Sequence, residues 1–113
     1  MTRISIAIPA YNAERTLRET LESALNQTCP AHEVLVVDDG STDRTEEMVR
    51  SFGDRVRSIK QSHQGIAGAR NTAVREAAGD CIAFPDADDL ILPAEIEKQL
   101  ALIEENQDLA MGR

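Results

Sequence analysis

Short apolar runs alternate with longer amphipathic stretches along this chain, and that alternation constrains its fold more than any other feature. Ile4 to Ile8, Glu33 to Val37, Val56 to Gln61 and Cys81 to Phe84 are the runs, the third being the weakest. Consecutive apolar, β-branched positions suit strands covered on both faces. Between them, Leu17, Leu21, Ala24 and Leu25 share one face of a helix predicted from Ala13 to Gln27, with Asn12 placed to cap it and Pro30 to bound it. Asp43, with Glu46 three residues on, has the form of a capping box, and Met48, Val49 and Phe52 carry a second stripe to Gly53. Ile66, Ala69, Ala73 and Ala77 mark a third helix over 66–78, with Gly79 as its C′ residue. Pro93 opens a fourth, which puts Ile96, Leu100 and Ile103 on one face and Glu95 and Glu97 at its N-terminus. Asp108 to Arg113 has the look of a fifth strand just begun, so the chain is expected to be a fragment.

Four strands alternating with four helices predict an α/β fold, a Rossmann-like open parallel sheet with helices on both faces and right-handed crossovers. A length of 113 residues accommodates one core, so residues 1–113 are taken as a single domain. The net charge of −8 argues against a partner gripped through the overall field, nucleic acid and anionic lipid included. An anionic ligand then needs a local device such as a metal ion, a helix N-terminus or a placed Arg. No apolar stretch has the length of a membrane span or the layout of a signal peptide, which points to the cytoplasm. Cys29 and Cys81 make neither a disulfide framework nor a metal motif and are expected to be reduced and structural.

In an open parallel sheet, ligands bind beyond the carboxyl ends of the strands. The informative clusters fall there: Pro9-Ala10-Tyr11-Asn12, Asp38-Asp39-Gly40-Ser41, Gly65 to Arg70, and Asp86-Ala87-Asp88-Asp89. Carboxylates one residue apart in a turn can share a hard divalent cation, Mg²⁺ or Mn²⁺, with phosphate oxygens. Taken alone, such a turn is more often a plain acidic turn. Of Asp38 and Asp39, one can hold the turn while the other faces the cleft and accepts from a polar N–H. Tyr11 offers a ring for stacking or for packing. Arg70, one turn inside its helix, can reach phosphate or pair with an acid. Gly65 and Gly68 fit neither a dinucleotide fingerprint nor a Walker A loop. His32 and His63 lack partners for a triad or a zinc site and read as surface residues; Cys29 lacks the basic surroundings of a nucleophile.

Together, SIAIPAYNAERTLRETLESALNQT, EVLVVDDGSTDRT and GIAGARNTAVREAAGDCIAFPDADD closely resemble the N-terminal half of family 2 glycosyltransferases of the GT-A fold, in order and over nearly the whole chain. The resemblance implies that a sugar moves with inversion from a nucleoside diphosphate donor, UDP by default, to a glycan, lipid or protein acceptor, as in cell-wall or polysaccharide biosynthesis. It implies that Pro9 and Tyr11 flank the base, Asp39 accepts from it, Arg70 lies near the nucleotide and Asp86 contacts the ribose or sugar. Asp88 would bind Mn²⁺ or Mg²⁺, with Asp86 and Asp89 as further candidates. The general base and acceptor region are expected beyond Arg113, and the isolated chain is expected to self-associate through the surface that the missing half would cover. Two other readings are a non-catalytic nucleotide-binding fragment and a receiver-like signalling domain. The second fits poorly, because the acid pair follows the second strand and no Lys lies beyond Lys98.

Overall fold

The computed structural model describes residues 2–111, with side chains described as far as residue 105. Strands β1 (Ile4–Ala10), β2 (Glu33–Asp38), β3 (Arg57–Lys60) and β4 (Cys81–Ala83) alternate with helices α1 (Leu17–Leu25), α2 (Thr45–Arg50), α3 (Ile66–Glu76) and α4 (Glu95–Met111); a single 3₁₀ turn, Gly53–Arg55, precedes β3. The sheet is parallel throughout, in the order β3-β2-β1-β4. The chain adds strands outward from β1 on one side and then crosses to the other for β4. That reversal beside β1 is where an open α/β sheet leaves a crevice.

Side-chain alternation divides the core in two. Ile4, Ile6, Ile8, Val34 and Val36 face Leu17, Leu21 and Ala24 of α1, Val49 of α2 and Ile96 of α4. Ala7, Leu35 and Val37 face Ala69 and Ala73 of α3 on the opposite side, where small residues let the helix lie close to the sheet. Helices on both faces are therefore found as expected. The outer strands are less buried than the two central ones, since each has a neighbour on one side only.

Several boundaries differ from expectation. Helix α1 starts at Leu17, not Ala13, because Thr16 sits at φ −118°, off the helical value, and the residues before it are tied to the loop after β2 and the start of α2. Asn12 N–H donates to Ser41 Oγ (2.9 Å), Ala13 N–H to Thr45 Oγ1 (2.9 Å) and Glu14 N–H to Asp43 Oδ2 (3.2 Å). Asn12 itself sits at φ +50° and accepts from the Thr42 N–H, so it laces two loops together rather than capping the helix. Asp43 makes half of its capping box, accepting from the Thr45 N–H, while Glu46 turns away to Arg50 and Lys60.

Pro9 lies within β1, paired with Val37, rather than closing it. The Ile4 and Ala10 carbonyls both accept from the β2 side, so alternation turns Pro9 the other way, where β4 runs only alongside Ile4 to Ile6. A missing N–H costs nothing there. Ile66, expected on the buried face of its helix, is 56% exposed, because it sits at the helix start and overhangs the end of the sheet. Gly79 is not a helix C′ residue, since α3 ends at Glu76 and Ala77 is already extended. It is a close-approach glycine instead: a Cβ there would lie 2.7 Å from Ser5 Oγ and 2.9 Å from the Arg3 carbonyl. The strand expected from Asp108 is absent over the described residues, which continue α4 to Met111; Leu109, Ala110 and Met111 favour helix and no breaker precedes them. Gly112 and Arg113 lie outside the described residues.

Candidate functional site

Strands β1 and β2 end side by side, and their following loops are stitched together by the hydrogen bonds of Asn12, Ala13 and Glu14. Asp38 and Asp39 leave β2 in opposite senses. Asp38 is fully buried and accepts from the Ser41 N–H (3.0 Å), holding the turn. Asp39 is also buried, at 3% exposure, but its carboxylate meets the loop that leads into α3. Oδ1 accepts from Gln61 Nε2 (2.8 Å) and the Gln64 N–H (2.9 Å); Oδ2 accepts from the Gly65 N–H (2.9 Å) and lies 3.0 Å from His63 Nδ1. Burial opposes ionisation of Asp39, yet the Gln61, Gln64 and Gly65 hydrogen bonds, with the neighbouring His63, together outweigh it and hold the carboxyl below its ordinary range.

Two glycines make this geometry possible. Gly65 adopts φ +88°, which turns its N–H onto Asp39 and starts α3. Gly40 adopts φ +79°, and a Cβ on it would lie 2.8 Å from the His63 backbone nitrogen. The loop carrying His63 therefore closes directly over the turn that carries Asp39.

His63 is the residue that sequence reasoning missed. Half-exposed as expected of a surface residue, it is nevertheless built into the cleft: its ring lies 4.2 Å from that of Tyr11, tilted by 34°, while Nδ1 meets Asp39. Its place in the loop after the third strand, at the same sheet edge as the other clusters, was the available signal. Pro9, Ala10, Tyr11, Asp39, His63 and Ile66 contribute to a cleft of about 360 Å³, with Gly65, Ala69, Asp86 and Ala87 completing its lining. Of the five residues expected around a nucleotide, Pro9, Tyr11, Asp39 and Asp86 thus share one cavity. Arg70 does not line it; the guanidinium lies over the Phe84 ring, 5.8 Å from its centre, on the exposed side of α3.

Beyond β4, Phe84 and Pro85 lead into a turn closed by Asp89 N–H to the Asp86 carbonyl (3.1 Å) and Asp86 N–H to Asp89 Oδ2 (2.8 Å). Asp86, Asp88 and Asp89 are all exposed and each offers an oxygen within 4.8 Å of the others', the one such cluster among the described residues. Three carboxylate oxygens so close repel one another unless a cation sits between them. An all-oxygen set suits a hard divalent ion with open positions for water or phosphate. The donor chemistry therefore fits Mg²⁺ or Mn²⁺. Asp86 borders the cleft just described; Asp89 borders a second cavity of about 410 Å³ between β4 and α4, lined by Ile6, Phe84, Leu90, Ile91 and Ile96 among others. Cys29 and Cys81 are free thiols outside both acidic clusters.

Comparison with known proteins agrees with this geometry. The model of glycosyl transferase family 2 matches residues 5–113. WfgD of Escherichia coli, a UDP-Glc:alpha-D-GlcNAc-diphosphoundecaprenol beta-1,3-glucosyltransferase, is 41% identical over 105 residues, which are 91% of this chain and 42% of that protein. An uncharacterized glycosyltransferase of Haemophilus influenzae is 40% identical over 94% of this chain and 44% of its own length. Among solved structures, S. aureus TarS in complex with UDP-GlcNAc superposes with a TM-score of 0.84 at 32% identity, over 91% of this chain and 31% of that one. Mannosyltransferase PcManGT from Pyrobaculum calidifontis, in complex with GDP-Man and Mn²⁺, gives 0.74 at 32% identity, over 83% of this chain and 29% of that one. The chain thus spans less than half the length of these relatives.

Proposed function

The chain belongs to glycosyl transferase family 2, with the parallel nucleotide-binding sheet of the GT-A fold, and on that premise we propose that it is the donor-binding part of an inverting glycosyltransferase using a UDP-sugar. The observation that carries this reading is the convergence of Pro9, Tyr11, Asp39 and Asp86 on one cleft, with Asp88 and Asp89 clustered with Asp86 in the turn beside it. Pro9 and Tyr11 supply the apolar and aromatic walls for a base. Asp39 accepts the base's imide N–H. Its carboxylate already receives four protein donors, so one must withdraw; His63, half-exposed and free to swing outward, is the one that yields.

Asp86 faces the ribose or sugar, and Asp88 with Asp86 and Asp89 holds the metal. A divalent ion bound there, Mn²⁺ or Mg²⁺, supplies charge stabilisation for the departing nucleoside diphosphate. Arg70, held over the Phe84 ring on the exposed side of α3, would reach the nucleotide only by swinging off that ring. Asp86, Asp88 and Asp89 are committed to donor and metal, so the general base is assigned to the part of the relatives' length that this chain does not span. The acceptor, a glycan, lipid or protein, belongs to the same part. Among the described residues no helix is long and apolar enough to cross a membrane, and we assign the chain to the cytoplasmic side, where nucleotide sugars are supplied.

Calorimetric titration of UDP in the presence and absence of Mn²⁺, on this chain and on Asp88→Ala, tests the reading. Metal-dependent binding that Asp88→Ala abolishes is the expected result. Binding of UDP that ignores both metal and substitution would leave a nucleotide cleft without a metal centre.

A further inference from the structure

Four polar residues on α1 and just beyond its two ends, Thr16, Thr20, Ser23 and Gln27, recur at spacings of four, three and four, and so lie along one side of the helix. All four bond to, or next to, the segment that begins in the acidic turn. Thr16 Oγ1 and Thr20 Oγ1 both donate to the Ala87 carbonyl, each at 3.0 Å. Ser23 Oγ donates to the Thr20 carbonyl (2.8 Å) and accepts from the Ile91 N–H (3.0 Å). Gln27 Nε2 donates to the Leu92 carbonyl (2.8 Å), while its Oε1 accepts from the Ile96 N–H (3.0 Å). Thr28 N–H adds a bond to the Pro93 carbonyl (2.8 Å).

Thr20 and Gln27 are buried polar side chains, at positions where Leu or Ala would pack without any need for partners. Beside one bond each to the helix's own backbone, at Thr16 and Ser23, their hydrogen bonds go to backbone between residues 87 and 96. Ala87 stands between Asp86 and Asp88, and its side chain packs against the core, so its carbonyl and methyl group are both held inward. The flanking carboxylates are left on the outside of the turn. Their mutual repulsion favours spreading, and within the turn only the Asp86–Asp89 pair opposes it.

We propose that this row on α1 is a template for the acidic turn, with Thr16 and Thr20 as positioning residues that set the separation of Asp86, Asp88 and Asp89 through the Ala87 carbonyl. The inference rests on the metal site assigned above and names the residues that preorganise it. Groups that orient ligands in this way typically change metal affinity by about 10- to 100-fold when removed.

The test uses Thr16→Val with Thr20→Val, which keeps shape and removes both hydroxyl donors, and Thr20→Ser, which keeps both. Mn²⁺ binding is read from the electron paramagnetic resonance of the free ion, and amide exchange is measured over residues 87–92 without metal. The double variant is expected to bind Mn²⁺ at least about tenfold more weakly and to exchange the 87–92 amides at least about tenfold faster, with Thr20→Ser close to the parent in both. Unchanged affinity together with unchanged exchange in a folded double variant overturns the proposal. Should the double variant not fold, Thr16→Val alone, at an exposed position, is expected to weaken Mn²⁺ binding and quicken the same amides, and a variant identical to the parent overturns the proposal equally. A parent chain that binds no Mn²⁺ refutes the metal assignment instead, and the exchange measurement still decides whether the row holds the turn.

Discussion

Replacing Asp39 with Asn keeps its shape and removes its charge, and the four donors around it allow the consequence to be worked out. The amide oxygen can take the place of Oδ1 and keep Gln61 and the Gln64 N–H. The amide nitrogen then faces the Gly65 N–H, a donor against a donor. His63 Nδ1–H can stay on the Asp39 carbonyl oxygen, 3.2 Å away, so the ring keeps a partner. The two retained bonds fall from charge-assisted to neutral strength, about 1 kcal/mol each, and the stranded Gly65 N–H costs about 1–3 kcal/mol. Relief from burying a charge offsets part of this, leaving a net loss of about 2–4 kcal/mol. At about 4 °C per kcal/mol for a chain of this size, Tm falls by about 8–16 °C. Urea unfolding followed by circular dichroism, at protein concentrations low enough to exclude association, measures the difference. Its pH dependence provides the stricter check. Asp39 is held below its ordinary value of 3.8, so its ionised form stabilises the fold above that value and the contribution is lost as pH falls through 3.8 toward the lower folded value. Glu33, Asp43, Glu46 and Asp80 are lowered as well and respond to acid alongside it, but they are common to parent and variant and cancel in the comparison. The gap between parent and Asp39→Asn should therefore be full at neutral pH and close in acid. Equal midpoints at neutral pH, or a gap that keeps its size in acid, would refute the idea that a charged carboxylate organises the 61–65 loop.

Gly40→Ala combines φ +79° with a Cβ 2.8 Å from the His63 backbone nitrogen, so a loss of about 1–3 kcal/mol in chemical unfolding is expected, together with weaker UDP binding by calorimetry. Leu21→Ala, at a fully buried position on α1, should cost about 3 kcal/mol in the same unfolding assay, and a change below about 1 kcal/mol would show that the helix packs loosely on the sheet. Leu90, Leu92 and Leu102 are 66%, 65% and 60% exposed on the side of the sheet where β4 has no neighbour among the described residues. The isolated chain is accordingly expected to self-associate in light scattering, and a monomer at high concentration would count against it.

The strands and the inward faces of the helices were legible because they follow from local periodicity: Leu17, Leu21, Ala24, Val49, Ala69, Ala73 and Ile96 are all buried. What escaped was set by partners distant in sequence. Nothing around Asn12 indicates that Ser41, Asp43 and Thr45 take the N–H groups of the next turn, about 30 residues away. His63 showed no sequence neighbour for a triad or metal, yet its partners were Tyr11 and Asp39, brought to it by two separate strands. Gly79 looked like a helix ending because its reason for being glycine, contact with Arg3 and Ser5, lies 74 and more residues upstream. The acidic turn was legible as chemistry from its own residues, whereas its support by α1 was not, because polar positions on a helix resemble solvent-facing ones until their partners are known.

Strand β4 runs beside only the first three residues of β1, leaving Ala7 to Ala10 without a strand on that side. Four residues at about 3.3 Å each make a notch about 13 Å deep. Its depth is fixed by a difference in strand length, and Pro9 guards that difference by withholding the N–H that would let β4 zip further along β1. Side chains lining such a notch, Pro9 apart, can be exchanged without closing it. Adding two residues to β4, or replacing Pro9, would instead shift where the sheet stops being paired, so tolerance to substitution and intolerance to insertion are expected to coexist in the same few residues.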